Sequence, residues 1–404
     1  MAVGQVTFPV MHQVDGIELG TACAGIKQTQ RDDLLLIQMR EGSTCAAVFT
    51  QNAFCAAPVV VAKEHLQQAP RWLLINSGNA NAGTGKRGLD DALSTCADLA
   101  ELAGADARQV LPFSTGVIGE PLAVDKIKAA LPKAFANLAE DHWEQAARAI
   151  MTTDTFPKGA SFTLEIGGET ITLTGISKGA GMIQPNMATM LSFIATDAKI
   201  ERELLQACLA RATELSFNRI TVDGDTSTND ACVLMASGCS KVPELTEGSP
   251  AYQVFADAVL KICKQLSEAI VRDGEGATKL MRIVINQALD DEEAVRVAKT
   301  IAHSPLVKTA FFASDPNWGR ILAAVGRAGV DNMDLERVDI HLGDVCIVRG
   351  GGRAEDYTEA AGQRVMNEPE ITVTVTLGRG SASQEVLTCD FSYDYVRINA
   401  EYRT

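Results

Sequence analysis

The sequence predicts a protein that mixes helices and strands, of the α/β or α+β class. Up to about residue 185, short apolar runs alternate with helical patterns and glycine-rich turns, as in the runs Trp72–Ile75 and Gln109–Phe113 and the helical pattern Leu89–Leu102. A helix-rich stretch follows. The last third then contains segments in which apolar and polar residues alternate with period two, the pattern of half-buried strands.

Two helices are predicted in the stretch after residue 200. The first spans Arg202–Leu215 and the second spans Ser249–Asp273. The second helix keeps one face apolar at spacings of 4, 3, 4 and 4 residues, through Phe255, Val259, Ile262, Leu266 and Ile270. Ser249 can cap its start and Pro250 suits the first helical position. Gly274 can end the helix in a left-handed conformation.

Strands predominate in the last third of the chain. Period-two alternation predicts them at Met281–Asn286, Val338–Leu342, Val345–Val348 and Ile371–Leu377. They indicate a smaller α+β domain at this end. Because neither a repeat nor a low-complexity linker marks its border, the acidic, alanine-rich segment Ala288–Ala294 is the best candidate.

The composition favours small-molecule partners over nucleic acid. The 404 residues include 36 Lys and Arg against 51 Asp and Glu, which gives a formal net charge of −15 at pH 7. Nucleic-acid binding needs a basic face that neutralises phosphates, and no basic cluster interrupts this acidic excess. With 46% hydrophobic residues, the chain can form the cores of two or three domains.

Neither a membrane span nor a secretion signal is predicted. The longest apolar runs, such as Leu34–Ile37 and Val59–Val61, are strand-sized and far below the roughly 18 residues of a transmembrane helix. The first basic residue is Lys27, so the N-terminus lacks the charged region of a signal or transit peptide. Ten cysteines without a Cys-x-x-Cys pair indicate reduced thiols. We therefore expect a cytoplasmic protein.

Three patterns that could bind ions or cofactors are weak. The five histidines never lie three or four residues apart, which argues against a metal site. The acidic segment Asp223–Asp230 resembles the start of a calcium loop, but Thr228 and Leu234 occupy positions that require Gly and Glu. Gly83–Gly88 matches G-x-G-x-x-G, yet Asn76–Ala82 separates it from the preceding apolar run. We expect no metal and no resident cofactor.

The densest signal is the segment Ile176–Leu191. Two glycines and a proline keep the chain irregular, and the apolar run Met190–Ile194 then predicts a buried strand. If the bond between Ala188 and Thr189 is cut, the α-amine of Thr189 can act as the base for its own hydroxyl. Alternatively, Thr189 simply favours the β geometry of a strand start.

The run Lys178–Leu191 closely resembles the autocleavage segment of the ornithine acetyltransferase family of arginine biosynthesis. Further segments resemble those of the family in the same order along the chain: Leu19–Lys27, Asn76–Ala82, Ser114–Gly119, Thr152–Lys158, Asp223–Asp230, Asp273–Lys279, Ser304–Thr309, Asp315–Arg320 and Asn399–Thr404. The resemblance therefore covers nearly the whole chain. It assigns no individual role to Asp223–Asp230 or Asp315–Arg320, which we interpret as structural support.

The resemblance implies an α+β fold with the layered α-β-β-α, N-terminal-nucleophile-like architecture of the ornithine acetyltransferase/aminopeptidase superfamily. It also implies a proenzyme that cuts itself between Ala188 and Thr189, giving chains of 188 and 404 − 188 = 216 residues. These chains are residues 1–188 and 189–404. Residues 189–287 would complete the main catalytic domain, and residues 288–404 would form the smaller domain. Two copies of each cut chain would associate.

The resemblance further implies a glutamate N-acetyltransferase that moves the acetyl group from N2-acetylornithine to glutamate by a ping-pong mechanism. Thr189 is then the nucleophile, and the Thr115 hydroxyl and the Gly116 backbone N–H form the oxyanion hole. The substrate contacts carried over are Thr155, Lys178, Thr189, Glu275, Asn399 and Thr404. Lys178 can pair with a carboxylate and Glu275 with an ammonium group. Whether acetyl-CoA also serves as a donor is left open.

Other function classes remain as alternatives. A related N-terminal-nucleophile aminopeptidase or amidase would share the cut but pass the acyl group to water. A dinucleotide-binding oxidoreductase would stay uncut and show cofactor absorbance on purification. A catalytically inactive binding protein is disfavoured, because every catalytic residue that the resemblance maps is present.

Overall fold

The computed structural model describes residues 3–4, 7–27, 30–184 and 190–401. These residues form fifteen strands: β1 (Ile17–Ala22), β2 (Leu34–Met39), β3 (Thr44–Phe49), β4 (Trp72–Asn79), β5 (Val110–Val117), β6 (Lys158–Ile166), β7 (Glu169–Lys178), β8 (Leu191–Thr196), β9 (Ala231–Ala236), β10 (Leu280–Ala288), β11 (Asp339–Leu342), β12 (Val345–Arg349), β13 (Gly352–Arg353), β14 (Glu370–Thr376) and β15 (Ala382–Cys389).

The same residues form eleven α-helices: α1 (Ala57–His65), α2 (Gly85–Ala103), α3 (Val124–Ala136), α4 (Trp143–Ala149), α5 (Arg202–Glu214), α6 (Pro250–Arg272), α7 (Asp291–Ala302), α8 (Pro305–Phe312), α9 (Trp318–Gly326), α10 (Glu359–Met366) and α11 (Tyr393–Ala400). The strands assemble into three sheets, so the structure mixes helices and strands as the sequence predicts.

The first sheet has the strand order β1-β2-β4-β5, in which β4 and β5 are parallel. Helices α2 and α3 pack on one face of this sheet. On that face, Leu34 and Leu36 of β2 pack with Leu74 of β4 and Leu99 of α2. The intervening residues of β2 point to the other face and are also buried. Strand β2 is therefore apolar on both sides because both faces of the sheet are covered.

The second sheet has the order β3-β9-β8-β7-β6, and α5 and α6 pack on one of its faces. The apolar stripe of α6, which includes Val259 and Leu266, packs in one core with Leu173 of β7 and Ile194 of β8. This is the face that the helical periodicity predicts to be buried.

The first and second sheets face each other across a shared core. Ile37 and Phe113 of the first sheet pack with Phe193 and Val233 of the second. The rings of Phe113 and Phe193 meet edge to face, with centroids 5.3 Å apart. The two facing sheets are covered by helices on their outer sides. This is the α-β-β-α layering that the resemblance implies, and the expectation is confirmed.

The third sheet, β13-β12-β11-β14-β10-β15, forms a separate C-terminal unit with its own core. Strand β10 pairs in parallel with β14 and antiparallel with β15, so it belongs fully to this sheet. The sequence placed the border at residues 287/288, which is the end of β10. The structure instead places the change of sheet before Leu280. The acidic segment Ala288–Ala294 runs from the end of β10 into the first turn of α7.

Helix α6 begins as predicted but ends differently. The Ser249 hydroxyl accepts a hydrogen bond from the Tyr252 backbone N–H at 3.1 Å, which is an N-cap. Gly274, however, does not have a positive φ. The left-handed conformation is instead found at Gly276, which has a φ of 69°. A Cβ on Gly274 would lie 2.9 Å from the Cys389 sulfur. Close packing therefore accounts for this glycine.

Helix α1 contains the run Val59–Val61, which the sequence suggested to be strand-sized. Pro58 lies in the first turn of this helix, where its missing N–H costs nothing. Val59 and Val61 are both buried, so tertiary packing outweighs the β preference of branched side chains. Within the described ranges, no helix is long and apolar enough to cross a membrane.

Candidate active site

The ends of strands from the first two sheets meet at a cavity of about 290 Å³. The first sheet contributes the ends of β4 and β5, the second contributes the end of β7 and the starts of β8 and β9, and α11 approaches from the C-terminal unit. The residues that line the cavity include Thr115, Gly116, Thr152, Thr153, Lys178, Gly181, Met190, Leu191, Asp230, Glu275 and Asn399.

Thr115 and Gly116 lie at the end of β5 and line the cavity. The Thr115 hydroxyl oxygen accepts a hydrogen bond from the Lys178 ammonium at 3.2 Å. Gly116 has a φ of 134°, and a Cβ there would lie 2.3 Å from the Gly78 carbonyl carbon of the parallel strand. Only glycine fits this approach of two backbones. The amide of Asn229 also donates to the Ser114 carbonyl at 3.0 Å and so ties β5 to the second sheet.

Lys178 is a buried cation at the wall of the cavity, with 9% of its surface exposed. Burial lowers the pKa of Lys178 below its ordinary value, because the charged form loses hydration. The nearby carboxylates of Asp154, Asp230 and Glu275 oppose this by raising the pKa, while Lys158 lowers it further. Lys178 is therefore placed to pair with an anionic group that enters the cavity.

Asp230 is a second ionisable group at the cavity wall. Its residue is 3% exposed, and its Oδ2 has no hydrogen-bond partner among the residues described. Burial raises the pKa of Asp230 well above its ordinary value, while the Ser227 hydroxyl and the Lys178 cation lower it. A cationic or N–H group of a bound molecule could supply the missing partner.

Glu275 and Asn399 bring the C-terminal unit to the cavity. The Asn399 side-chain amide donates to Glu275 Oε2 at 2.8 Å. Gly181 leaves the space that the Glu275 carboxylate occupies, because a Cβ on Gly181 would lie 2.4 Å from Glu275 Cδ. The Ser392 hydroxyl, at the start of α11, donates to the Gly276 carbonyl at 2.6 Å and fixes the helix beside this carboxylate.

A fully buried ion cluster supports the cavity next to Lys178. The Lys158 ammonium donates to Asp154 and to Asp273, each at 2.6 Å, and all three side chains are 0% exposed or nearly so. Burial alone would raise the pKa of Asp154, but Lys158 and Lys178 outweigh it and hold that pKa below its usual range. Asp154 also accepts the Gly179 backbone N–H at 2.7 Å, which fixes the chain just after Lys178.

The structure brings together five of the predicted site residues: Thr115, Gly116, Lys178, Glu275 and Asn399. Thr155 is not among the lining residues. Its hydroxyl donates to Asp273, and Thr152 and Thr153 line the cavity in its place. Ala188, Thr189 and Thr404 lie outside the described residues. Met190 and Leu191, which follow Thr189 in the chain, do line the cavity.

Asp230 and its loop were missed as site residues by the sequence analysis. The signal was present, since Asp223–Asp230 was singled out first as a failed calcium loop and then as a family segment. Among the described residues, no group of three or more His, Cys, Asp or Glu side chains could hold a metal ion. Within the acidic segment, Asp223 accepts the backbone N–H groups of Met182 and Ile183, and Asp230 lines the cavity.

Comparison with known proteins identifies the family. A sequence model of the ArgJ family matches residues 18–404. The chain belongs to the ArgJ family. The arginine biosynthesis bifunctional protein ArgJ of Methylococcus capsulatus is 66% identical over 391 residues, which are 97% of this chain and 96% of that protein. The protein of the same name from Pseudomonas fluorescens is 57% identical over 407 residues, and the match covers 100% of both.

A solved ArgJ structure is also similar. The arginine biosynthesis bifunctional protein argJ of Bacillus halodurans has 43% sequence identity and a TM-score of 0.51, and the match covers 53% of this chain and 100% of that chain. The ArgJ match over residues 18–404 contains every predicted site residue. The family resemblance inferred from the sequence motifs is thereby confirmed.

Proposed function

We propose that the cavity is the acetyl-transfer site of a glutamate N-acetyltransferase, that is, an ornithine acetyltransferase of arginine biosynthesis. One observation carries this proposal. Five predicted residues from distant parts of the chain line the same cavity as Met190 and Leu191. The names of the ArgJ relatives agree with the predicted pathway, so the chain is a transferase of arginine biosynthesis.

The nucleophile is Thr189, released by self-cleavage. In the precursor, Thr189 Oγ forms a bond to the Ala188 carbonyl carbon, the C–N bond breaks, and the hydroxyl proton passes to the new α-amine. Water then hydrolyses the ester, which restores the hydroxyl and leaves a carboxylate on Ala188. Met190 and Leu191, which directly follow Thr189 in the chain, line the cavity, and this supports the assignment.

The extent of the solved relative also supports a cut chain. The Bacillus halodurans chain, matched over its full length, spans 53% of this chain. The proposed cut leaves 216 of 404 residues on its C-terminal side, which is also about 53%. A protein made of two cut chains would give a match of this extent.

Acetyl transfer then follows in two half-reactions. Thr189 Oγ attacks the acetyl carbonyl of N2-acetylornithine, the amide C–N bond breaks, and the hydroxyl proton reaches the departing amine through the Thr189 α-amine. Ornithine leaves, and the neutral amine of glutamate forms a bond to the acetyl carbon of the acetyl-Thr189 ester. The C–Oγ bond breaks and a proton of the amine returns to Thr189 Oγ through the α-amine, which gives N-acetylglutamate and free Thr189. The Thr115 hydroxyl and the Gly116 N–H stabilise the oxyanion of both tetrahedral intermediates.

The charges of the cavity suit amino-acid substrates. Lys178 can bind a substrate carboxylate, and Glu275, held by Asn399, can bind an ammonium group. Asp230 adds a carboxyl whose Oδ2 has no partner among the described residues. We assign Thr155 and Thr404 to substrate contact by resemblance alone.

Three finer properties belong to the same proposal. The word bifunctional in the names of the relatives supports a second donor, and we propose acetyl-CoA as that co-substrate, with no resident cofactor. We propose that two copies of each cut chain form the assembly. We also propose a cytoplasmic enzyme, supported by ten free thiols.

Donor assays test the proposed reaction. The purified protein is incubated with N2-acetylornithine, with and without glutamate, and ornithine, acetate and N-acetylglutamate are quantified. The proposal predicts N-acetylglutamate that depends on both substrates and is lost in Thr189→Ala. Release of acetate without transfer would indicate the amidase alternative, and the absence of any turnover of acetylornithine would contradict the proposal. A parallel assay with acetyl-CoA and glutamate tests the second donor.

A further inference from the structure

The chain just before residue 185 is held by the side chain of Asp223. The Met182 backbone N–H donates to Asp223 Oδ2 at 2.6 Å, and the Ile183 N–H donates to Asp223 Oδ1 at 2.9 Å. Each oxygen of the carboxylate thus binds one of two consecutive backbone N–H groups. Hydrogen bonds to a charged acceptor are the stronger kind, so these two contacts hold the backbone firmly.

Neighbours of Asp223 hold the next carbonyl groups of the same segment. The Val222 backbone N–H donates to the Ile183 carbonyl at 2.7 Å, and the Thr221 hydroxyl donates to the same carbonyl at 2.9 Å. The Thr226 hydroxyl donates to the Gln184 carbonyl at 3.2 Å. Residues 182–184 are therefore fixed by five hydrogen bonds from residues 221–226.

The far side of positions 185–189 is held by the end of the same loop. The Ala231 N–H donates to the Met190 carbonyl at 2.9 Å, and β8 and β9 run in parallel from that point. One short stretch of chain, residues 221–231, thus holds both Gln184 and Met190. The proposed cleavage bond lies between these two anchored residues.

Met182 shows that this hold acts against the preference of the backbone. It has a φ of 54°, in the left-handed region that residues with a Cβ seldom occupy. Such a conformation persists only where the surroundings fix it, and the hydrogen bond from its N–H to Asp223 is such a constraint. Loss of the Asp223 carboxylate would allow Met182 to relax and would shift the chain that follows.

We propose that Asp223 is a positioning residue for self-cleavage at Ala188–Thr189. It acts by fixing the backbone of Met182 and Ile183, a few residues before the bond that is cut. The attack of Thr189 Oγ on the Ala188 carbonyl depends on near-attack geometry, which a shift of about 1 Å can disrupt. This inference rests on the self-cleavage of the proposed function.

The test is a time course of cleavage for the full chain made by cell-free translation. Asp223→Asn replaces one acceptor oxygen by an amide NH₂, and we expect its first-order cleavage rate to fall roughly 10- to 100-fold. Asp225→Asn is the matched control. Asp225 is exposed, and its substitution removes the same charge from the same loop. It should cleave at the wild-type rate. Thr226→Val should slow cleavage by a smaller factor.

Stability is separated from positioning in a background that cannot cleave. The unfolding temperature of Asp223→Asn with Thr189→Ala should match that of Thr189→Ala alone within a few degrees. Once it has been cut, Asp223→Asn should differ from wild type less in kcat and in KM for N2-acetylornithine than it does in cleavage rate. The reason is that Val222 and Thr221 still hold Ile183.

The outcomes are distinct. Wild-type cleavage in Asp223→Asn, equal slowing in Asp225→Asn, or a fall in unfolding temperature that parallels the slower cleavage would overturn the inference while leaving the proposed function in place. An uncut wild-type chain with transferase activity would overturn self-cleavage itself, and the inference with it.

Discussion

Lys178 is the residue whose surroundings most directly determine how the cavity recognises a carboxylate. Its ammonium is buried, its pKa is lowered by that burial, and its hydrogen bond within the site goes to the Thr115 hydroxyl. A carboxylate that replaces lost hydration would favour the charged form. Substrate binding and the charge of Lys178 are therefore coupled.

This coupling predicts a pH dependence. A lysine loses its charge as the pH rises through its pKa, so a lowered pKa should make kcat/KM for N2-acetylornithine decline at lower alkaline pH than an ordinary lysine would. In Lys178→Arg the guanidinium stays charged, and the decline should move to higher pH. Lys128→Arg, at an exposed pair with Asp98, is the control. An unchanged alkaline limb in Lys178→Arg would refute the assignment.

Gly181 gives a second prediction for a single residue. Gly181→Ala should raise the KM for N2-acetylornithine roughly 10- to 100-fold, about as much as Glu275→Gln, because the new Cβ would displace the Glu275 carboxylate from a charge-assisted contact. Steady-state kinetics measure the change. Gly319→Ala, where a Cβ would meet nothing closer than 3.7 Å, should leave KM unaltered. Equal KM values for Gly181→Ala, Glu275→Gln and Gly319→Ala would count against the role of Glu275.

The sequence could indicate Thr115, Lys178 and Glu275 because each lies in a family motif. Asp230 also lies in such a motif, but its place at the cavity wall depends on burial and on β9 running beside β8, which the motif does not show. Thr155 shows the opposite case. Its hydroxyl is engaged by Asp273 across a separation of 118 residues, a pairing that no local pattern contains. Contacts between distant segments are what the sequence leaves out.

At the scale of elements, α11 connects the C-terminal unit to the cavity. It provides Asn399, yet none of its residues is buried. Its contacts with the rest of the protein include the Ser392 hydrogen bond to Gly276, the Asn399 hydrogen bond to Glu275 and the edge of the Tyr393 ring against Phe312, with centroids 5.4 Å apart. Such a helix contributes little to the core and much to the site.

Removal of α11 should therefore separate stability from activity. A chain that ends at Phe391 should lose only about 2–4 °C of unfolding temperature, the shift expected for a change near 1 kcal/mol. Its kcat/KM for N2-acetylornithine should fall roughly tenfold or more, because Glu275 loses the Asn399 amide. Calorimetry measures the unfolding temperature and steady-state kinetics measure kcat/KM, both on the same preparation of the shortened chain. Full activity, or a collapse of the fold, would contradict this account of α11.

The elements themselves were predicted where local patterns control them. The stripe and cap of α6 follow from helical periodicity and from Ser249, and both are observed. Gly274 was interpreted wrongly, because its packing against Cys389 is decided by a distant part of the chain. The border at residues 287/288 stays a prediction, and the local pattern does not show that β10 pairs with β14 and β15 in the third sheet.

At the scale of the whole molecule, the two proposed chains are interleaved. In the second sheet, β3 pairs with β9 and β7 pairs with β8, so the two strands that follow the cut lie between strands that precede it. The two core layers that flank this sheet likewise contain residues from both sides. Cut chains should therefore remain one folded body under native conditions.

The buried ion cluster also joins the two proposed chains. Lys158 and Asp154 precede the cut, and Asp273 follows it. Lys158→Met would leave two buried carboxylates without their cation and should lower the free energy of unfolding by about 3–5 kcal/mol. Chemical denaturation measures this. Lys199→Met, at an exposed pair with Glu244, should cost less than about 1 kcal/mol. Equal losses would contradict the importance of the cluster.

The proposed self-cleavage makes Thr189 an N-terminal nucleophile at the cavity. Its most direct test is intact-mass and N-terminal analysis of the purified protein under denaturing conditions, beside Thr189→Ala. We predict two fragments from the wild type, a new N-terminus at Thr189, and an uncut variant. A single intact wild-type chain that carries full acetyltransferase activity would contradict the account.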